Sequence, residues 1–498
     1  MARPELQGNT PALDLKRVLP DPEAVKLVPR AAAVRYTVAP LALEGDALRV
    51  ALRDVHDIDA LDYLEMLTQR RVIAVAAPEP ELREFIQRVY TGAGGGGELD
   101  TVVAEASRLA QEKSDGSELP IIRLVDLLLA EALRQRATDL HVQPEHSGLV
   151  LRFRVDGLLR LVLTLPKELQ LPIATRLKVM ADLDISERRL PQDGKIDLSV
   201  GERRIDLRVS TLPTVHGENI VLRLLDHARV LHGFPDLGFH AEDIERLVAM
   251  SARPHGIFLV TGPTGSGKTT TLYAALQCVD TAERNVLTLE DPVEYRLPGI
   301  RQSHIQEKTG FTFATGLRAA LRQDPDVILV GEIRDLETAE IAVRAALTGH
   351  LVLSTLHTMS APGTIARLRE MGIADYLLAS TLSGILAQRL VRRLCDCATD
   401  RSATTAERAY LGVPDGELIL RRGAGCVACG NTGYRGRFAL YEFLELTPEL
   451  ARAVGSGADG ASIEAMARSS GYRSLREHGV QRVRQGWTTV EELARIVS

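Results

Sequence analysis

The chain has 498 residues, 45% of them hydrophobic and 25% charged, with 66 Asp and Glu against 60 Lys and Arg. This composition excludes a disordered chain, a collagen-like repeat and a disulfide scaffold, and the net charge of −6 lacks the basic excess of a dedicated nucleic-acid binder. Without a ~20-residue apolar run, a signal-peptide core after Met1-Ala2-Arg3-Pro4-Glu5 or more than five cysteines, the reading is a large cytosolic protein of about three domains.

Residues 13–90 read as a small mixed domain. Ala47–Leu52 alternates as a strand does, and the apolar spacing from Asp57 to Gln69 is helical. The tract 91–118 reads as a linker: Gly92–Gly97 is glycine-rich, and Glu98–Asp115 is helix-compatible up to Gly116. Residues 119–232 read as α+β, with an amphipathic helix over Ile121–Gln135. Strand-like runs follow at Leu149–Val155, Ile196–Val200, Arg204–Ser210 and Asn219–Leu225. Gly233–Gly238 is a hinge, and an α/β segment occupies 240–394. Paired cysteines mark 395–430, and 431–498 read as a mostly helical C-terminal region.

The strongest chemical signal lies in the α/β segment. Gly256–Thr261 is a short apolar run typical of a buried parallel strand, and Thr270–Cys278 is helical. Between them stands Gly262-Pro263-Thr264-Gly265-Ser266-Gly267-Lys268-Thr269, a G-x4-G-K-[ST] phosphate loop in its required strand–loop–helix setting. Its glycines let backbone N–H groups wrap phosphates, Lys268 reaches the β- and γ-phosphates, and the Thr269 hydroxyl suits Mg²⁺. These residues predict binding of ATP with Mg²⁺.

A nucleotide hydrolase also needs acids near the metal and the attacking water. Val327–Val330 is an apolar strand running into Gly331-Glu332, with Glu where Asp is more usual at a Walker B position. A second strand end carries Glu290, Asp291 and Glu294 around Pro292. Taken as residues alone, these are catalytic acids or ordinary solvated strand-end charges. His357 closes a third apolar run and by itself reads as structural.

Cys395-x-Cys397 and Cys426-x2-Cys429, 28 residues apart, suit a tetrahedral Zn²⁺ site, although the one-residue bridge departs from the usual C-x2-C. A degenerate, metal-free subdomain is the alternative. Cys278 reads as a buried small hydrophobe. Arg392, Arg393, Arg421 and Arg422 form a basic patch that suits an anionic membrane surface, an acidic partner or plain solvation.

Together these motifs resemble the GspE/PulE family of secretion ATPases, which includes motors of type II secretion and type IV pilus assembly. The resemblance spans roughly 119–498. It rests on the phosphate loop, on Thr288–Tyr295, on Leu317–Asp326 through Arg334-Asp335, and on Thr348–His357. Upstream, Ala137–Pro144 and Arg189–Lys195 match as well. It implies a RecA-like core preceded by a PAS-like domain and a small N-terminal docking domain, assembled as a homo-hexamer. It implies further that Arg208 and Arg223 are supplied to the nucleotide phosphates, and that His357, with Glu332, Glu294 and Glu290, belongs to the active site. Residues 13–90 resemble the family's platform-docking domain through Arg35–Leu41 and Val50–Asp54. The Leu-Gly-containing segment that precedes it in cyclic di-GMP-binding relatives is not recognisable here. The expected partners are therefore inner-membrane platform proteins, with indirect membrane contact, peripheral recruitment and no nucleic acid. The expected activity is MgATP hydrolysis powering type II secretion. Pilus assembly is the alternative, ahead of a nucleic-acid motor or a slow nucleotide switch.

Overall fold

The computed structural model describes residues 15, 18, 20–29, 32–33, 36–92, 102–103, 105–108, 118–200, 203–226, 233–413 and 416–497. The glycine linker lies outside these apart from Gly92, as does most of the helix expected over Glu98–Asp115. Two compact units divide the chain: Met1–Asp226 with Cys395–Ala398 and Gly423–Arg435, and His227–Leu394 with Thr399–Arg422 and Gly436–Ser498.

The first unit opens with a three-stranded sheet, β1 (Ala39–Glu44), β2 (Ala47–Leu52) and β3 (Arg71–Ala76), in that order. Strand β2 pairs antiparallel with β1 and parallel with β3. The expected helix forms over Ile58–Thr68. The Asp57 side chain caps it by accepting from Ala60 N, and Gln69 ends it in the left-handed region.

A helix over Glu118–Arg134 then leads into β4 (Asp139–Glu145), β5 (Gly148–Val155), β6 (Leu158–Leu165), β7 (Gln192–Val200), β8 (Arg203–Thr214) and β9 (Gly217–Asp226). These make one sheet in the order β6-β5-β4-β9-β8-β7, antiparallel throughout. Strands β4 and β6 and a helix over Gln170–Met180 had no signal in the sequence pattern. The reasons are local. Strand β4 runs through Pro144, β6 is an edge strand with leucines on both faces, and Pro172 stands in the helix's first turn, where its missing N–H costs nothing.

The second unit is built on a seven-stranded sheet. Its strands are β10 (Gly256–Thr261), β11 (Val286–Glu290), β12 (Arg301–His304), β13 (Val327–Val330), β14 (Leu351–Leu356), β15 (Leu382–Leu394) and β18 (Tyr434–Glu445), while β16 (Ala398–Ser402) and β17 (Ile419–Gly423) pair as a separate two-stranded sheet. Their order is β12-β11-β13-β14-β10-β15-β18, and every pairing from β12 to β15 is parallel. Strands β10, β13 and β14 are buried along their whole length, because helices cover both faces. Ile257, Leu259, Ile328 and Val352 enter one core and Phe258, Val260, Leu329 and Leu353 the other. At ~1.5–3 kcal/mol per buried aliphatic side chain, these two cores fix the sheet and with it the loops at its carboxyl edge.

Strand β18 lies where the pattern reads as helical. Its buried run Phe438–Leu444 adds a strand to the sheet before four helices complete the chain, from Pro448–Gly455 to Val490–Ile496. No described helix is long and apolar enough to cross a membrane.

Candidate active site

Parallel register brings the carboxyl ends of β10, β11, β13 and β14 to one edge, beside the middle of β15. Thr261, the last residue of β10, lies opposite Leu356 of β14 and Ala387 of β15, and Val330 lies opposite Leu289 and Ser354. The phosphate loop leaves β10 at the middle of that edge. Gly262 and Gly267 take φ of +146° and +87°, and a Cβ on either would fall 2.4 Å or 2.9 Å from Gln388 atoms. Only glycine allows this path.

The helix Lys268–Gln277 starts at Gly267 without a side-chain cap, which leaves its first N–H groups for a ligand. The Ser266 hydroxyl is buried without a protein partner, and a phosphate oxygen would satisfy it. Lys268 Nζ donates to the carbonyls of Gly262 at 2.8 Å and Pro263 at 3.2 Å. Burial pushes its pKa down, the charge of Glu332 pushes it back, and Arg389 reinforces the lowering. Pro263 is half-buried, while Thr264, Gly265 and Thr269 are exposed, so the Thr269 hydroxyl is open to an incoming Mg²⁺. The loop fits a nucleotide.

Glu332, two residues beyond β13, is clasped from both sides. Arg334 meets one oxygen at 2.5 Å and His357 Nε2 the other at 3.3 Å. Burial raises its pKa, but the hydrogen bond and charge of Arg334, joined by His357, outweigh burial and hold the carboxyl below the usual range. A carboxyl held low in this way suits orienting water, including water on a bound Mg²⁺, more than taking up a proton. Asp335 fixes the turn by accepting from Thr338 N at 2.8 Å, capping the helix Leu336–Leu347. Thr261 Oγ1 and Thr358 Oγ1, 2.6 Å apart, tie the base of the phosphate loop to the residue after His357. Arg334 stands two residues past the strand-end acid, and that spacing was the signal for it in Gly331-Glu332-Ile333-Arg334.

The second acidic group divides. Glu290 is 3% exposed and engages the Tyr273 hydroxyl, Thr288 Oγ1 at 2.5 Å and Gln302 Nε2 at 3.1 Å. Burial and this contact push the Tyr273 phenol up, keeping it a donor. Glu290 thus has the bonds of a structural anchor. Asp291 is exposed, Glu294 is half-buried, and Glu294 N donates to the same Tyr273 hydroxyl at 3.3 Å.

In the first unit, the register places Lys195, Arg208, Arg223, Asp139 and Arg154 in one cross-strand row on β7, β8, β9, β4 and β5. Buried Asp139 receives Arg223 Nε at 3.3 Å and Arg154 Nε at 3.5 Å. Like charges directly opposite one another cost stability. Lys195, Arg208 and Arg223 thus stand side by side as three cations, with Arg223 paired to Asp139.

The four cysteines of the two pairs converge in the same unit, with sulfurs all within 4.8 Å of one another. Cys395 and Cys426 sulfurs are 3.7 Å apart, and those of Cys397 and Cys429 are 3.9 Å apart. A tetrahedron of sulfurs at ~2.3 Å from Zn²⁺ has edges of ~3.8 Å, so the one-residue bridge of Cys395 and Cys397 does not prevent the geometry. The backbone N–H groups of Cys426 and Gly433 donate to Cys429 Sγ at 3.1 Å and 3.3 Å and hold its pKa at about 7 despite burial.

Two sequence expectations change. Cys278 is exposed at the helix C-cap, where the apolar face has run out, with Sγ donating to Ala274 O at 3.3 Å. The basic patch is partly consumed internally: Arg392 is bound to buried Glu492 at 2.8 Å, Arg393 stacks on Trp487, and Arg421 meets Asp400 at 3.6 Å.

A parallel sheet with a glycine phosphate loop at its carboxyl edge, an acidic residue just past the end of the strand next but one and an uncapped helix N-terminus defines a P-loop ATPase. A family model described as Type II/IV secretion system protein matches residues 114–495, and the MshEN domain model matches 9–96. The chain is 42% identical to the type IV pilus assembly ATPase PilB of Myxococcus xanthus, over 98% of this chain and 89% of that protein. It is 44% identical to the type II secretion system protein E of Xanthomonas campestris, over 93% and 83%. The solved structure of the pilus retraction motor PilT with bound ADP is similar at a TM-score of 0.51 and 26% identity, over 74% of this chain and 95% of that one. The chain belongs to the type II/IV secretion system protein family, and it is an ATP hydrolase.

Proposed function

We propose that this ATPase powers type II secretion as a cytoplasmic homo-hexamer, recruited to the inner membrane by platform proteins that hold residues 13–90. The observation that carries the motor reading is the cluster of Lys268, Glu332, Arg334 and His357 at one sheet edge. Residues 262–269 bind ATP, with Lys268 on the β- and γ-phosphates. Thr269 is the residue that would hold Mg²⁺, which when bound neutralises charge on the phosphate oxygens. Glu332 orients the attacking water, and His357 positions Glu332. Arg208 and Arg223, from the PAS-like domain 119–232, spread bidentate contacts over transition-state charge, a role that can be worth ~10³–10⁵ in rate. Glu294 remains a candidate for polarising water; Glu290 serves by anchoring Tyr273. The RecA-like core is 240–394, and the cysteine subdomain 395–430 holds structural Zn²⁺.

Pilus assembly is the second reading, favoured by the Myxococcus relative, whose alignment takes in nearly the whole chain. Deleting the gene in the source organism separates the two. Loss of folded exoproteins from the medium with surface pili retained supports type II secretion. Loss of pili with secretion retained moves the assignment to pilus assembly.

A further inference from the structure

The phosphate loop is held from behind by a side chain that belongs to none of the nucleotide motifs. Gln388 follows Ala387, the β15 residue opposite Thr261, so it stands beside the first glycine of the loop. It is 1% exposed. Its Nε2 donates to Ser266 O at 2.8 Å, and its Oε1 accepts from Thr271 Oγ1 at 2.8 Å. The orientation is dictated by the partners, because a carbonyl only accepts and so must face the amide NH₂. The fit around it is close: a Cβ added to Gly267 would meet the Gln388 side-chain Nε2 at 2.9 Å, and one added to Gly262 would meet the Gln388 backbone carbonyl oxygen at 2.4 Å.

A buried primary amide is costly unless both ends are bonded, and here both ends are spent on the loop and on its helix. We infer that Gln388 is a positioning residue for ATP. It locks the Ser266 peptide to the first turns of the helix at Thr271, so that the loop is already in its phosphate-binding shape when nucleotide arrives. This rests on residues 262–269 being the ATP loop, and it assigns to β15 a part in nucleotide affinity. Preorganisation of this kind acts on binding more than on the chemical step.

The test measures ATP affinity by titration calorimetry, KM and kcat on the full chain. It compares wild type, Gln388→Leu and Gln388→Glu. Gln388→Leu removes both hydrogen bonds at similar volume. It should weaken ATP binding and raise KM by ~10-fold or more, the size expected for two buried hydrogen bonds, with kcat at saturation changed by less than ~3-fold. Gln388→Glu supplies an internal rescue. A buried carboxyl beside a carbonyl is pushed towards its protonated form, which donates to Ser266 O as the amide does, whereas the ionised form cannot. Relative to wild type at the same pH, its ATP affinity should be within ~3-fold at pH 5 and should fall ~10-fold or more by pH 8. A Gln388→Leu protein that binds ATP within ~2-fold of wild type overturns the inference. So does a Gln388→Glu protein whose affinity follows the wild-type pH dependence, and this second variant decides the matter if the first does not fold. If the ATP-loop reading itself were wrong, Lys268→Ala would bind ATP as wild type does, a result independent of Gln388.

Discussion

Replacing Cys429 by serine tests whether the cysteine cluster is a metal site. The four sulfurs stand within 4.8 Å of one another, and two of the separations, 3.7 Å and 3.9 Å, straddle the ~3.8 Å edge of a Zn–S₄ tetrahedron. An ion therefore enters with sulfur movements of about an ångström or less. Among the described residues the cluster's apolar packing consists only of the cysteines themselves, and a backbone hydrogen bond from Cys395 N to Gly433 O at 2.9 Å joins the two segments beside it. Structural zinc supplies ~10–16 kcal/mol of apparent binding energy in small peptides, far above what burying four thiols contributes. Elemental analysis of the purified full chain should find about one zinc per chain in wild type and less than ~0.2 in Cys429→Ser. The variant should melt several degrees lower, and wild type stripped by a strong chelator should melt with the variant and recover on adding zinc. Zinc-free wild type whose melting temperature ignores both chelator and added zinc would refute the reasoning.

Three further predictions follow from individual contacts. Arg334→Gln removes the hydrogen bond and charge that, against burial, hold Glu332 below the usual carboxylate range. A depressed native pKa contributes stability that is present above the unfolded value and is lost as pH falls through the native one. The variant should therefore lose about 0.5–1 kcal/mol of stability near neutral pH, small because Arg334 is 56% exposed and screened, and its acid-unfolding limb, followed by circular dichroism, should move to higher pH. Tyr273→Phe takes a donor from buried Glu290 and should cost about 1.5–3 kcal/mol in denaturant unfolding; an unchanged midpoint would mean that Glu290 is not anchored there. Arg223→Ala, at a side chain 61% exposed, should leave melting within ~2 °C while lowering phosphate release by ~10²-fold or more; wild-type turnover would remove Arg223 from the site.

The site was legible wherever covalent spacing and local periodicity determine it. Gly256–Thr269 announces strand, loop and helix in the chain itself, and Val327–Glu332 does the same for the acid. What could not be read depends on neighbours distant in sequence. Gln388 lies 122 residues beyond Ser266, and only the pairing of β15 with β10 brings them together. Glu290 looks like an exposed strand-end acid until Tyr273 and Gln302 close over it. Strand β18 follows a glycine-rich, polar approach, and its alternation is masked because Phe438–Leu444 is buried continuously. The row from Lys195 to Arg154 likewise exists only through strand register, though the family resemblance had already marked two of its members.

The central proposal is hydrolysis at the sheet edge that carries Lys268, Glu332 and His357. Steady-state phosphate release from the full chain with MgATP measures that claim most directly. Lys268→Ala and Glu332→Gln should each lower it by ~10²-fold or more, with Glu332→Gln still binding ATP. Release within ~3-fold of wild type in either variant would contradict the assignment.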